Sequence, residues 1–532
     1  MSVQIKLPEK FNVAQFMIGE NIKRGLGDHI LYYCHEDEEA KCRSLTYGEF
    51  ARLVNKAGNM LKALGTTRES RVMLLQNDTP EAVANFFAAI KIGAIPFAAN
   101  TMLKPEEYAY LLNDSRAYTV IVDEEYTNLI EMVGDSLKYL KNLVVVGEAG
   151  KGQLSYFKLI GEASDRIEAE ETHRDEVALW QYSSGTTGPP KGVMHTHRGV
   201  ICTTDTYYKE ILKLSEKDIV YSVSKIFFGF GQGNSVWGPI RWGSSAVLYP
   251  GRPYPEKILE IVERYRVTIL FAAPTHYNAM IQRLEHAEYD LSSLRLCVSA
   301  GEALPPVIYR KWKEKIGVEI LDGLGQTEIF HIFVSNRPGD VRPGSSGKPV
   351  PGYEVKIVKD QYRLEEVPAN EVGILMAKGG SIAVGYWNKY EKTKKAFIGE
   401  WLNTGDMYYR DEDGYYYYYG RSDDMIKSGG VWVSPIEVER TLMEHPAVAE
   451  AAAIPSYTEQ GLQRVKAFVV LKEGYTPSDE LEKELKAFMK RRLAGYKRPE
   501  WIEFVKELPK TATGKILRYK LRQTEIQRLR RI

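Results

Sequence analysis

Hydrophobic and polar positions along the first half of the chain alternate between two periods. "EAVANFFAAIKIG" is apolar around the whole turn, as in a buried helix, and "AIPFAA" follows at once as a short strand. "YTVIVD" and "NLVVVG" are β-branched runs of the kind found in strands buried on both faces. The alternation runs from about Leu45 to Leu248, and "VTILFAAP" and "LRLCVSAG" extend it, each bounded by turn residues. It predicts an α/β fold of mostly parallel sheets. No fixed-period repeat is visible.

The pattern changes near "GRSDDMIKSGG", Gly420 to Gly430. Before it lies a β-rich stretch, in which the turn "DEDG" opens a strand of five consecutive tyrosines, Tyr415 to Tyr419. After it, Pro435 suits the first position of a helix "PIEVERTLMEH". Strands "AVAEAAAI" and "VKAFVVL" and a helix from near Ser478 complete a small α+β domain of about 100 residues. Glycine, serine and two aspartates at the boundary suggest a hinge.

Composition narrows the function classes. A chain of 532 residues needs more than one core. A net charge of +1 gives no global field for nucleic acid or acidic membranes. Cys34, Cys42, Cys202 and Cys297 form no CxxC pair, so the expectation is reduced, structural thiols rather than a disulfide or zinc framework. "MSVQIKLPEKFN" lacks a signal-peptide core, and no stretch approaches 18 apolar residues. A cytoplasmic protein without membrane or nucleic-acid partners is expected; a homodimer is left open.

The densest run of hydroxyls and glycines is "YSSGTTGPPKGVMHTH", Tyr182 to His197. It is no Walker A loop: Pro189 follows Gly188, and Lys191 does not directly follow the second glycine. Pro189-Pro190 discourages a helix, while "VALWQY" and "GVMHTH" read as flanking strands. Ser183, Ser184, Thr186 and Thr187 offer hydroxyls, Gly185 and Gly188 expose backbone N–H groups, and Lys191 adds charge. Such a loop suits a leaving diphosphate.

This run resembles the phosphate loop of the adenylate-forming superfamily: acyl- and aryl-CoA ligases, peptide-synthesis adenylation domains and luciferases. "DGLGQTE", "NTGD", "GRSDDMIKSGG" and "PKTATGKILR" agree in the family's order, spanning Tyr182 to Arg518. "LRLCVSAGEALP", "DGLGQTEIFHIFVSN" and "GSSGKPVPGY" look more narrowly like benzoate-CoA ligases. The resemblance implies an N-terminal ATP- and acid-binding domain over 1–422, with a β-rich subdomain, and a mobile C-terminal domain over 423–532.

The resemblance also implies roles. Lys191 and the loop hydroxyls would hold the β- and γ-phosphates, Thr327 the α-phosphate, and Glu328 a Mg²⁺ ion. Asp406 and Arg421 would meet the ribose. The segment "SAGEAL", with Gly301, Glu302 and Ala303, would stack on adenine, and Asp322, Gly323 and Leu324 would bind the nucleotide. Lys515 would act in acyl-adenylate formation, Asp423 as the hinge, and Lys427, Gly429 and Gly430 on the CoA path. The acid pocket would comprise Phe228, Gly229, Phe230, Ala300, His331, Ile332 and Phe333, with at least one aromatic expected in the core. The tail "KILRYKLRQTEIQRLRRI", with seven basic residues against Glu525, reads as a solvated helix that could steer CoA phosphates.

The expected activity is ATP-dependent, AMP-forming ligation of an aromatic acid to CoA, with a medium-chain or alicyclic acid as the alternative. A peptide-synthesis adenylation domain would need an aspartate for its substrate ammonium, and "IFFGFGQGNS" has none. A luciferase-like monooxygenase would consume oxygen. A dead nucleotide-binding protein is disfavoured by the presence of Lys191, Glu328 and Lys515 together.

Overall fold

The computed structural model describes residues 5–183, 189–428, 431–458, 462–510 and 516–529. The apolar runs fold as the periodicity predicts. Thr79 caps the helix Pro80–Lys91 by accepting from the Ala82 N–H, with Pro80 opening the first turn. That helix is buried nearly all round, and Phe87 packs on Phe50 and Trp237 at ring-centroid separations of 5.8 and 5.1 Å.

Two sheets with parallel centres flank this core. One runs Ile95–Ala98, Arg71–Leu75, Thr119–Asp123, Asn142–Val146, Leu154–Ser155, parallel throughout. The other places Ile320–Gly325, Leu296–Ser299, Ile269–Ala272, Ile219–Ser222, Ser245–Leu248 and Ile30–Cys34 in parallel order. Antiparallel strands finish it at both edges: Ile332–Ser335 and Lys348–Pro349 at one, Arg43–Thr46 at the other. A third, antiparallel sheet joins Val177–Ser183, Lys191–Thr196 and Gly385–Tyr386. The tyrosine strand Tyr416–Arg421 pairs with Trp401–Arg410 in an antiparallel subdomain that also holds Tyr353–Val358 and Gly373–Gly379.

The small domain has its own cores, built from Ile426 onwards around Val438, Leu442, Val465 and Leu485 and around Ile454 and Leu521. Ser434 caps the helix Pro435–Met443 and also donates its hydroxyl to the Tyr419 carbonyl. The tail helix, Arg518–Leu529, is more than a solvated surface. Its glutamate, Glu525, is buried, accepting from Ser456 Oγ at 2.7 Å and pairing with Lys466 Nζ at 2.6 Å. Arg518 grips Glu439, and Arg522 reaches the Asp424 carboxylate and the Asp423 carbonyl. A basic composition suggested solvent; the ion pairs instead dock this helix against the boundary loop. The four cysteines are unpaired, three of them buried. Among the described residues, no helix is long and apolar enough to cross a membrane.

Candidate active site

Strand pairing builds the first grouping. In the hairpin Val177–Ser183/Lys191–Thr196, Ser183 stands opposite Lys191 and closes the hydroxyl-rich loop. Ser184, Gly185, Thr186, Thr187 and Gly188 lie outside the described residues, as do Gly429, Gly430 and Lys515. On the far edge of the same sheet, Tyr386 pairs with Val193. This register sets the Tyr386 ring under Lys191, with Nζ 4.1 Å from its centroid. Glu328 sits in the short turn Thr327–Ile329, which is tied to the same segment: Ala383 N–H donates to the Glu328 carbonyl and Ser381 Oγ to the Ile329 carbonyl. The Tyr386 hydroxyl therefore donates to Glu328 Oε1 at 2.8 Å, and Lys191 Nζ lies 3.7 Å from that oxygen. Burial lowers the Lys191 pKa, and the Glu328 charge opposes that shift. The turn exits through Phe330 at φ 77°, a left-handed conformation costly for a bulky residue and held by packing on His195 and Trp237.

A second grouping adjoins it. Asp406 and Arg421 are cross-strand partners, and Arg421 Nε lies 3.0 Å from Asp406 Oδ1. Gln326, two residues before Glu328, donates to Asp406 Oδ2 at 2.5 Å and to the Thr404 carbonyl at 2.9 Å. Arg421 also donates to that carbonyl. The Asp406 carboxylate raises the Arg421 pKa, so the guanidinium stays charged. Gln326 thus links the carboxylate–guanidinium pair to the lysine–glutamate pair.

The Gln326–Glu328 turn that joins both groupings follows the carboxyl end of Ile320–Gly325, which runs parallel to Leu296–Ser299, and ligands collect at such ends in open α/β sheets. Ser299 and Asp322 are register partners at the ends of adjacent strands. Gly301, at φ 92°, turns the chain so that it and Glu302 are exposed and Ala303 half-buried. Asp322 is buried: Leu304 N–H donates to its Oδ2, and burial drives its pKa well up. Its Oδ2 braces the 300–304 turn from beneath. Gly323 is buried and Leu324 half-buried beside it.

The expected acid-pocket residues divide. Phe230 and His331 stack at 5.7 Å and 21°. Tyr208 OH donates to Asn234 Oδ1, and the Phe230 carbonyl can only accept, so His331 Nε2 carries the proton it shares with Tyr208 (3.1 Å) and Phe230 (3.4 Å). Burial pushes the His331 pKa down to about 3. Phe228, Gly229 and Phe230 are partly exposed; Ala300 and Ile332 are buried. Strand alternation turns Phe333 away from Ile332, and it packs near Tyr353; this is the aromatic that the core takes.

Lys427 is exposed on the strand Ile426–Ser428, its backbone N–H on Gln463. Asp423 is exposed in the turn that follows the strand Tyr416–Arg421. Sequence reasoning missed Tyr386 and Gln326. Gln326 could have been found from its place two residues before Glu328. Tyr386, 58 positions beyond Glu328, carries no local signal.

Two family models match: AMP-binding enzyme over residues 22–387, and AMP-binding enzyme C-terminal domain over residues 437–515. The chain is 44% identical to a benzoate–CoA ligase of Thauera aromatica, over 97% of each chain. It is 40% identical to a 4-hydroxybenzoate–CoA/benzoate–CoA ligase of Rhodopseudomonas palustris, over 96% of this chain and 94% of that protein. Among solved structures, the anthranilate CoA ligase AuaEII in complex with anthranoyl-AMP superposes with a TM-score of 0.89 at 44% identity, over 98% of each chain.

Proposed function

The chain belongs to the AMP-binding enzyme family, and from that premise we propose that it is an AMP-forming CoA ligase for an aromatic carboxylic acid, benzoate or a close analogue. A carboxylate oxygen attacks the α-phosphorus of ATP and pyrophosphate leaves. The CoA thiol then attacks the acyl-adenylate carbonyl and AMP leaves. The observation that carries the reading is the junction at Gln326–Glu328, where a lysine–carboxylate–tyrosine grouping meets a carboxylate–guanidinium pair.

The first step brings two anions together, so fixed positive charge dominates its catalysis. Lys191 would neutralise the outer phosphates, steadied by the Tyr386 face. Asp406 would accept from the ribose hydroxyls while Arg421 and Gln326 hold its orientation. Lys515 would neutralise charge at the reacting carboxylate. Among the described residues, no three His, Cys, Asp or Glu side chains group as a metal cage. The single Glu328 carboxylate fits Mg²⁺, which takes one or two carboxylates and completes its shell from water and substrate phosphate. When bound, it supplies charge neutralisation on the triphosphate.

One lysine cannot occupy the acid-binding end while the thiol enters there, so the small domain would rotate about Asp423 between steps. Lys427, Gly429 and Gly430 would then face the CoA arm.

The test is pyrophosphate release from ATP and benzoate without CoA, then thioester formation once CoA is added. A kcat/KM panel should rank aromatic acids above hexanoate and acetate. If either aliphatic acid wins by more than about tenfold, the discrimination that a single methylene contact confers at its low end, the aryl assignment falls.

A further inference from the structure

We propose that Gln181 reads the ring of the acid: its side-chain oxygen is a preset acceptor for a hydroxyl or amino group, making donor-bearing benzoic acids the preferred substrates. The inference rests on the aromatic-acid reading above.

The argument starts from a fixed donor. Trp237 Nε1–H can only donate, and it points at Gln232 Oε1 at 3.4 Å. That assigns the Gln232 oxygen, which also accepts from Gln181 Nε2 at 2.8 Å. Flipping Gln181 would set oxygen against oxygen, so its nitrogen faces Gln232 and its Oε1 faces the other way. Gln181 is 8% exposed, and that Oε1 is buried with no hydrogen-bond partner. A buried acceptor without a donor is costly, and folded proteins satisfy most of them.

Its position suits a ligand. Gln181 lies on the strand Val177–Ser183, two residues before Ser183, hence on the same face and about 7 Å back from the mouth of the phosphate loop. Gly229, on the aromatic segment Phe228–Phe230, stands before this oxygen. A Cβ there would sit 3.1 Å from Gln181 Oε1, tighter than ordinary packing. Glycine sets no side chain against the acceptor, and Gly229 is itself partly exposed. A buried, unpaired oxygen, fixed in orientation and faced by a glycine rather than a side chain, matches an N–H or O–H donor from the substrate. Unsubstituted benzoate would leave it unsatisfied.

The experiment is a kcat/KM panel of benzoate and the 2-, 3- and 4-hydroxy- and aminobenzoates, run on the wild type, Gln181→Met and Gly229→Ala. The readout is the ratio of each donor-bearing acid to benzoate within one protein, which cancels differences in folded fraction. In the wild type, at least one donor-bearing acid should exceed benzoate by about tenfold or more. Gln181→Met removes the acceptor and Gly229→Ala covers it, so both should bring that ratio down to about one. Benzoate matching or beating all six in the wild type overturns the proposal, as does a ratio that survives in both variants. If no aromatic acid supports pyrophosphate release, the parent reading fails first, and that result is distinct from an active enzyme with an unchanged ratio.

Discussion

Tyr386→Phe should slow acyl-adenylate formation about 13-fold and leave the thioester step alone. The substitution deletes one hydroxyl and keeps the ring under Lys191. That hydroxyl donates to Glu328 Oε1 at 2.8 Å, and the Glu328 side chain is only 15% exposed and that of Lys191 beside it 17%. A hydrogen bond to a charged group is worth about 1.5–3 kcal/mol. The lower end applies, because Lys191 remains beside the same oxygen. About 1.5 kcal/mol, at 1.36 per decade, is about 13-fold. Tyr386→Ala also removes the ring 4.1 Å from Lys191, worth about 1 kcal/mol in a partly dry site. Its total of about 2.5 kcal/mol corresponds to about 70-fold. The assay is ATP–pyrophosphate exchange with benzoate, set against CoA ester formation from supplied acyl-adenylate. Equal losses in both half-reactions, or a phenylalanine variant within about twofold of wild type, would refute the assignment of Tyr386 to the phosphate end of the site.

Three further outcomes are expected. Lys515→Ala should slow adenylation by orders of magnitude while sparing thioester formation from acyl-adenylate; comparable losses in both steps would remove its step-specific role. His197 Nδ1 accepts from the Val13 N–H at 3.1 Å, and burial holds its pKa near about 3. The unfolded chain therefore binds a proton that the native state refuses, so the stability this histidine provides should be lost as pH falls from about 6.5 toward 3. The urea midpoint should drop across pH 7 to 5, and His197→Gln should flatten that slope; an unaltered slope counts against the assignment. Glu439→Gln leaves Arg518 with only the Asp424 carboxylate, 3.7 Å away, and weakens the buried Ala453 N–H contact, costing the small domain about 3 kcal/mol, the lower end for breaking a buried pair; hydrogen exchange over residues 431–458 should accelerate, and unchanged protection would show the pair to be dispensable.

The chain itself carries the elements. Buried parallel strands such as "YTVIVD" must be apolar on both faces, and the helix Pro80–Lys91 must be apolar all round, so periodicity reveals both. Proline and serine mark the start of Pro435–Met443 because capping is local chemistry. The loop after Ser183, and the motifs bearing Glu328, Asp406 and Arg421, are contiguous runs and legible as such. What no local pattern carries is which distant residues meet. Tyr386 reaches Lys191 and Glu328 only because Gly385–Tyr386 adds to the edge of the Lys191–Thr196 strand. Gln181 reads as one more polar residue in an apolar strand until Trp237 and Gln232 set its orientation and Gly229 faces its oxygen without a side chain. Glu525 passes for a solvated acid until the sheet of the small domain brings Lys466 beneath it. Strand pairing and hydrogen-bond direction are properties of contacts across the fold, so only the tertiary structure decided them.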